Sequence, residues 1–178
     1  MDKMAIPNIY LIGPMAAGKS TIGKLLAREL ARPFYDSDQE IEAMTGVSVA
    51  WIFDVEGESG FNKREEAMIE ELTQIDQIVL ATGGGTILSP KCRKYLCKTG
   101  YIIYLSVSLE EQVNRTLRDK HRPLIQTKDR KAALEKLYAE REPLYREIAN
   151  WSCQTDNGPG TKIVQDIYEH LKEQFFSK

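Results

Sequence analysis

Ile9-Tyr10-Leu11-Ile12-Gly13-Pro14-Met15-Ala16-Ala17-Gly18-Lys19-Ser20-Thr21 is the stretch from which the rest of the chain is read. It is a short apolar, β-branched run, then G-x-x-x-x-G-K-S, then the opening of a helix. That is a phosphate-binding loop with the strand before it and the helix after it that the motif requires. Gly13 and Gly18 let the backbone wrap tightly, so that successive N–H groups from Gly13 through Thr21 can face phosphate oxygens. The first helical turn adds unpaired donors and the positive end of its dipole. Lys19 brings a mobile charge to the β- and γ-phosphates, and the Ser20 hydroxyl is placed to ligate Mg²⁺. An ordinary glycine-rich turn would explain the glycines. With every fixed position filled and both flanks correct, the phosphate reading is preferred.

Outward from this loop, strand and helix patterns alternate. Residues 8–12 read as a first strand, apolar throughout, as in a strand covered on both faces. A helix follows from Lys19 to Ala31, with Ile22, Leu25, Leu26 and Leu30 at helical spacing. Pro33-Phe34-Tyr35 makes a short second strand ending in Asp36-Ser37-Asp38, a carboxylate pair where open α/β sheets bind ligands. Residues 39–74 are helical and polar, broken at Gly57–Phe61, with Ala67, Met68, Ile69 and Leu72 on an apolar side. Such an insertion (about 38–74) is the natural home of a second substrate. Ile78–Thr82 is a third strand, followed at once by Gly83-Gly84-Gly85. Three glycines weaken a strand end, and close approach of backbone to a ligand explains them better than a tight turn.

Pro90–Lys98 reads as a helix closed by Gly100. Tyr101–Val107 is a fourth strand, and Leu109–Leu117 a helix with Glu110 and Glu111 favourably in its first turn. Arg115, Arg118, Lys120, Arg122 and Lys128 make a basic, poorly periodic segment around Pro123. Most charge runs are solvated faces. A phosphoryl-transfer site, however, needs a cationic lid that excludes water, and residues 115–128 are read as that lid, with His121 a bystander. Ala132–Ala149 is a long helix in which Pro143 should cause a kink or restart. Trp151–Thr155 is a fifth strand, Asp156–Gly160 a turn, and Ile163, Ile167 and Leu171 mark a last amphipathic helix. The fold class is thus α/β: a five-stranded parallel sheet with helices on both faces, in one domain of 178 residues.

Composition narrows the partners. A net charge of −2 gives no electrostatic footprint for nucleic acid. No apolar run is long enough to cross a bilayer and no signal-peptide core opens the chain, so a cytoplasmic protein is expected. Cys92, Cys97 and Cys153 form no C-x-x-C pair and are expected to be reduced thiols without metal.

A phosphate loop says nucleotide without saying what the nucleotide is for. Asp54-Val55-Glu56-Gly57 and Asn62-Lys63-Arg64-Glu65 imitate two GTPase segments, but they lie almost adjacent in a helical region and lack the strand-end context. Taken together, Gly13–Thr21 as G-P-M-A-A-G-K-S-T, Phe34–Asp38 as F-Y-D-S-D, Gly57–Phe61 as G-E-S-G-F, Gly83–Gly85, Arg122-Pro123-Leu124 and Arg141-x-Pro-Leu-Tyr145 resemble the shikimate kinases, in order and over nearly the whole chain. The resemblance implies the three-layer P-loop kinase fold with strand order 2-3-1-4-5. It also implies a monomer, and ATP- and Mg²⁺-dependent phosphorylation of the 3-hydroxyl of shikimate. A kinase for another hydroxy acid, such as a gluconate-type sugar acid, and a nucleotide-gated binding protein without turnover are the alternatives.

By the same resemblance Asp38 orients the acceptor hydroxyl, either as the base that takes its proton or by position alone, and Asp36 holds Mg²⁺ through water opposite Ser20. Gly83, Gly84 and Gly85 meet the substrate through backbone N–H. Arg122 closes with the lid onto the transferring phosphoryl, and Arg141 forks onto the substrate carboxylate. Arg115, Asn157 and Pro159 frame adenine. Asn62 departs from the pattern, since the family carries arginine there as a second carboxylate partner. On a helix Lys63 and Arg64 point about 100° and 200° away. Asn62 as a neutral donor, a Lys63 that bends back, and an acceptor other than shikimate are the three readings this leaves.

Overall fold

The computed structural model describes residues 6–117, 123–156 and 158–176. Among them five strands form a parallel sheet: β1 (Asn8–Ile12), β2 (Phe34–Asp36), β3 (Val79–Ala81), β4 (Gly100–Ser106) and β5 (Trp151–Gln154). Their order is β2-β3-β1-β4-β5, as expected. Parallel neighbours need long crossovers, and these carry α1 (Lys19–Glu29), α2 (Ser37–Thr45), α3 (Val49–Leu72), α4 (Pro90–Thr99), α5 (Leu109–Thr116) and α6 (Arg130–Ile148), while α7 (Gly160–Phe176) follows β5.

The strand period of two divides the core. Ile9, Leu11, Val79, Ile103 and Leu105 pack on one face with Ile22 and Leu26 of α1 and Ile163, Ile167 and Leu171 of α7. Tyr10, Ile12, Leu80, Ile102 and Tyr104 face the other way, against Ile69 of α3, Leu96 of α4 and Tyr145 of α6. Both faces are covered, which is why the strands read as apolar runs without alternation. Asp36 and Leu11 both pair with Ala81, so β1, β2 and β3 end level. Their carboxyl ends open onto one edge, the ligand-binding edge of such sheets.

The sequence reading is refined at Gly100 and corrected at Pro143 and in α3. Gly100 closes α4 as expected, its N–H on the Leu96 carbonyl, but at φ −159, an extended conformation that also opens β4. A Cβ there would lie 2.4 Å from the Tyr10 ring and 2.8 Å from the Asn8 carbonyl, so close strand packing demands the glycine. Pro143 does not restart α6, which runs from Arg130 to Ile148 with Leu134, Arg141 and Tyr145 buried. That packing holds the helix together across the missing hydrogen bond. In α3 the break falls at Gly57, with φ +72 and ψ 179, and beyond it the buried side is Phe61, Glu65, Met68, Ile69 and Leu72. Ala67 is exposed. No described helix is long and apolar enough to cross a membrane.

Candidate active site

The phosphate loop is held open by backbone geometry. Gly13 has φ +147, and a Cβ on it would sit 2.2 Å from the Leu105 carbonyl oxygen, so no other residue fits. Gly18, at φ +92, caps α1 without a side chain, and the first intrahelical bond is Ile22 N–H to the Gly18 carbonyl at 2.8 Å. The amides before it have no partner within the helix and face the loop. Lys19 Nζ donates to the carbonyls of Gly13 at 2.7 Å and Pro14 at 2.8 Å, lying across the loop's mouth. Ser20 Oγ donates to Asp36 Oδ2, while Asp36 Oδ1 accepts from the amides of Asp38 at 3.0 Å and Gln39 at 3.2 Å. Asp36 therefore caps α2 with one oxygen and meets Ser20 with the other. No group of three or more His, Cys, Asp or Glu that could hold a metal is present among the described residues. The three cysteines are free thiols.

A cavity of about 510 Å³ lies on this loop, walled by Ala16–Ile22 and, at its far end, by Arg115, Thr155, Gly158 and Gly160. Gly13, Pro14 and Met15 shape the loop from behind and do not line this space. Arg115 holds its guanidinium on the Ala16 carbonyl at 3.0 Å, the Thr155 carbonyl at 3.0 Å and Glu111 at 2.8 Å. Gly158 and Gly160 line this space and Pro159 between them does not. Asn157, and in the segment read as a lid Arg118, Lys120, His121 and Arg122, lie outside the described residues.

A second cavity of about 490 Å³ opens beside the first, between the α2–α3 insertion and α6. Asp38 and Gly84 line both. The second cavity has an aromatic wall of Phe53 and Phe61, with Asn62 and Gly85 beside it and Arg141 opposite. Arg141 is 5% exposed and its Nε has no hydrogen-bond partner. Its neighbour Tyr145 donates to the Gly84 carbonyl at 3.0 Å, fixing the glycine turn against α6.

The three glycines have different physical reasons. A Cβ on Gly83 would meet Glu65 Oε1 at 2.4 Å and Asp38 Oδ1 at 2.7 Å, because two carboxylates converge on it. Gly83 N–H already donates to Ser37 Oγ at 2.9 Å. On Gly84 a Cβ would meet Arg141 Nη1 at 3.4 Å, and on Gly85 the nearest atom would be Glu65 Oε2 at 3.6 Å.

Glu65 belongs to this site and was missed in the sequence. It is 2% exposed and accepts a hydrogen bond from Thr86 Oγ1 at 2.6 Å. Burial, reinforced by the nearby Asp38 charge, pushes its carboxyl up to about 7, against the bond from Thr86. The missed signal was its position: four residues after Phe61 and four before Ile69, it is a charged residue on an apolar helical stripe.

Residues 15–172 match the family model for shikimate kinase. The chain is 52% identical over 166 residues to the shikimate kinase of Pseudomonas syringae pv. tomato, covering 93% of this chain and 96% of that one. It is 50% identical over 171 residues to that of Legionella pneumophila, covering 96% and 98%. The solved shikimate kinase of Acinetobacter baumannii, in complex with shikimate, superposes with a TM-score of 0.94 at 44% identity over 97% of each chain. The chain belongs to the shikimate kinase family.

Neither Lys63 nor Arg64, which follow Asn62, lines the second cavity. Arg64 forks onto Glu56 across the Gly57 break, Nη2 to Oε1 at 2.7 Å and Nε to Oε2 at 2.9 Å, on the exposed side of α3. Lys63 is exposed as well. Arg141 is the only Lys or Arg lining the second cavity among the described residues.

Proposed function

We propose that this shikimate kinase transfers the γ-phosphoryl of ATP to the 3-hydroxyl of shikimate, with ATP in the cavity on the phosphate loop and shikimate in the cavity beside it. The observation that carries this arrangement is that Asp38 and Gly84 line both spaces, so an acceptor in one faces a phosphate in the other across a carboxylate. Phosphoryl transfer asks mainly for position and for charge to match the moving phosphate. Asp38 takes the hydroxyl proton as the oxygen–phosphorus bond forms and the bond to ADP breaks. Lys19 follows the β- and γ-phosphates, and Arg122 closes on the transferring group with the lid of residues 115–128.

Arg141, buried with an unsatisfied Nε, is suited to fork onto the substrate carboxylate, and Asn62 donates a neutral bond beside it. Arg115, Asn157 and Pro159 frame the adenine. Gly84 and Gly85 offer backbone to the substrate, with Gly83 making room for the two carboxylates.

Ser20 and Asp36 fit Mg²⁺: they are hard oxygen donors already in contact, and such an ion takes most of its ligands from phosphate and water. When bound, it neutralises charge on the β- and γ-phosphates. Both cavities are built from the same chain, which supports a monomer, and the place proposed for it is the cytoplasm. A coupled ADP-release assay with ATP and Mg²⁺ tests the proposed transfer, and release that depends on shikimate is expected. A trace unchanged by shikimate refutes it. Asn62 is the one observation that favours a different hydroxy acid, so gluconate belongs in the same assay.

A further inference from the structure

The phosphate loop is gripped from behind by a residue that touches no ligand cavity. Gln112, on α5, is 3% exposed, and its Nε2 donates to the Met15 carbonyl at 3.0 Å across 97 residues of sequence. Three residues on, Arg115 Nη1 donates to the next carbonyl, that of Ala16, at 3.0 Å. One face of a single helix therefore holds both peptide groups that flank Ala16. Ala16 has φ +62, a left-handed conformation that costs a residue with a Cβ about 1–2 kcal/mol. A loop strained at that point stays in place only if its surroundings fix it. The Met15 side chain is fixed too, buried with Ile125 and Leu134 beneath the loop.

The consequence follows from the planarity of the peptide bond. In a trans peptide the C=O of one residue and the N–H of the next point in opposite directions. Drawing the Met15 carbonyl toward Gln112 turns the Ala16 N–H the opposite way, and Ala16 lines the cavity on the loop. Rotating that peptide would turn the carbonyl oxygen, a partial negative charge, onto the same space. We propose that Gln112 is a positioning residue for nucleotide binding, which holds the Met15–Ala16 peptide so that the Ala16 N–H serves as a phosphate donor. The proposal rests on the reading of this cavity as the ATP site.

Gln112→Met keeps the volume and removes the donor, and Gln112→Lys restores a donor of similar reach. Losing the donor is expected to raise the KM for ATP about 10-fold, with the KM for shikimate within about twofold of wild type. Lysine is expected to recover most of the loss. A Gln112 that merely fills space would lower the thermal midpoint in both variants and leave the KM for ATP alone, and that result overturns the proposal. Amide NMR of the wild-type protein gives a test that requires no variant to fold. Titration with ADP and Mg²⁺ should move the Ala16 N–H resonance strongly. If ADP binds and the Ala16 amide does not respond, the proposal fails while the ATP site stands. If ADP shifts no amide of the loop, the reading of the cavity itself fails.

Discussion

Asn62→Arg tests the charge balance of the second cavity. At present Arg141 is the only Lys or Arg lining it among the described residues, facing the carboxyls of Asp38, Glu42, Glu58 and Glu65. A substrate carboxylate entering this space meets one guanidinium against four carboxyls, beside the aromatic wall. A second arginine adds one charge-assisted hydrogen bond, worth roughly 1.5–3 kcal/mol, or about 10–150-fold in affinity. Two features of the structure pull the estimate toward the lower end. Asn62 is half-buried, so the new charge stays partly screened, and Glu42 and Glu58 compete with the ligand for it. About 10-fold is the expected fall in the KM for shikimate. Because the bond is made equally to the ground and transition states, kcat should stay within about twofold. Coupled ADP release at saturating ATP measures both. A KM for shikimate that is unchanged or higher would refute the argument that the cavity is short of positive charge.

The remaining predictions concern the two carboxylates that converge on Gly83. Asp38→Asn keeps the shape and removes the base, so kcat should fall by about 10²–10⁴-fold while ADP affinity by calorimetry stays near wild type. A parallel loss of nucleotide affinity would place Asp38 with the metal instead. Glu65→Gln should change how stability depends on pH. Burial raises the Glu65 carboxyl from 4.5 to about 7, so between those values the folded chain holds a proton that the unfolded chain has released. Its contribution to stability is therefore full below about pH 4.5, falls as pH rises through the window, and is lost above about 7, a change of about 3 kcal/mol at most. Glutamine keeps an acceptor for Thr86 and does not titrate, so urea midpoints should show the variant gaining on wild type between pH 5 and pH 8. Parallel profiles would mean that Glu65 is ionised in the fold throughout.

What the sequence disclosed follows from the range of the interactions involved. The phosphate loop is local: Gly13, Gly18, Lys19 and Ser20 act within one strand–turn–helix, so their spacing carries their chemistry. The sheet order was reached through the family likeness, and the faces of the sheet through apolar runs that every strand repeats. Glu65 and Gln112 were not legible, for a shared reason. Each is a polar side chain on the buried face of a helix, and its partner is distant in the chain: Thr86 for Glu65, Met15 for Gln112. Helical periodicity reports which face is buried, and says nothing of what waits on the other side. A buried polar group that breaks an apolar stripe must find a partner or carry a cost of about 1–3 kcal/mol. That cost makes such a residue informative even when its partner cannot be named. Glu65, set between Phe61 and Ile69, is such a residue, and its partner Thr86 lies 21 residues away. The lysines and arginines of residues 115–128, more conspicuous in the sequence, needed the phosphate loop to give them a meaning.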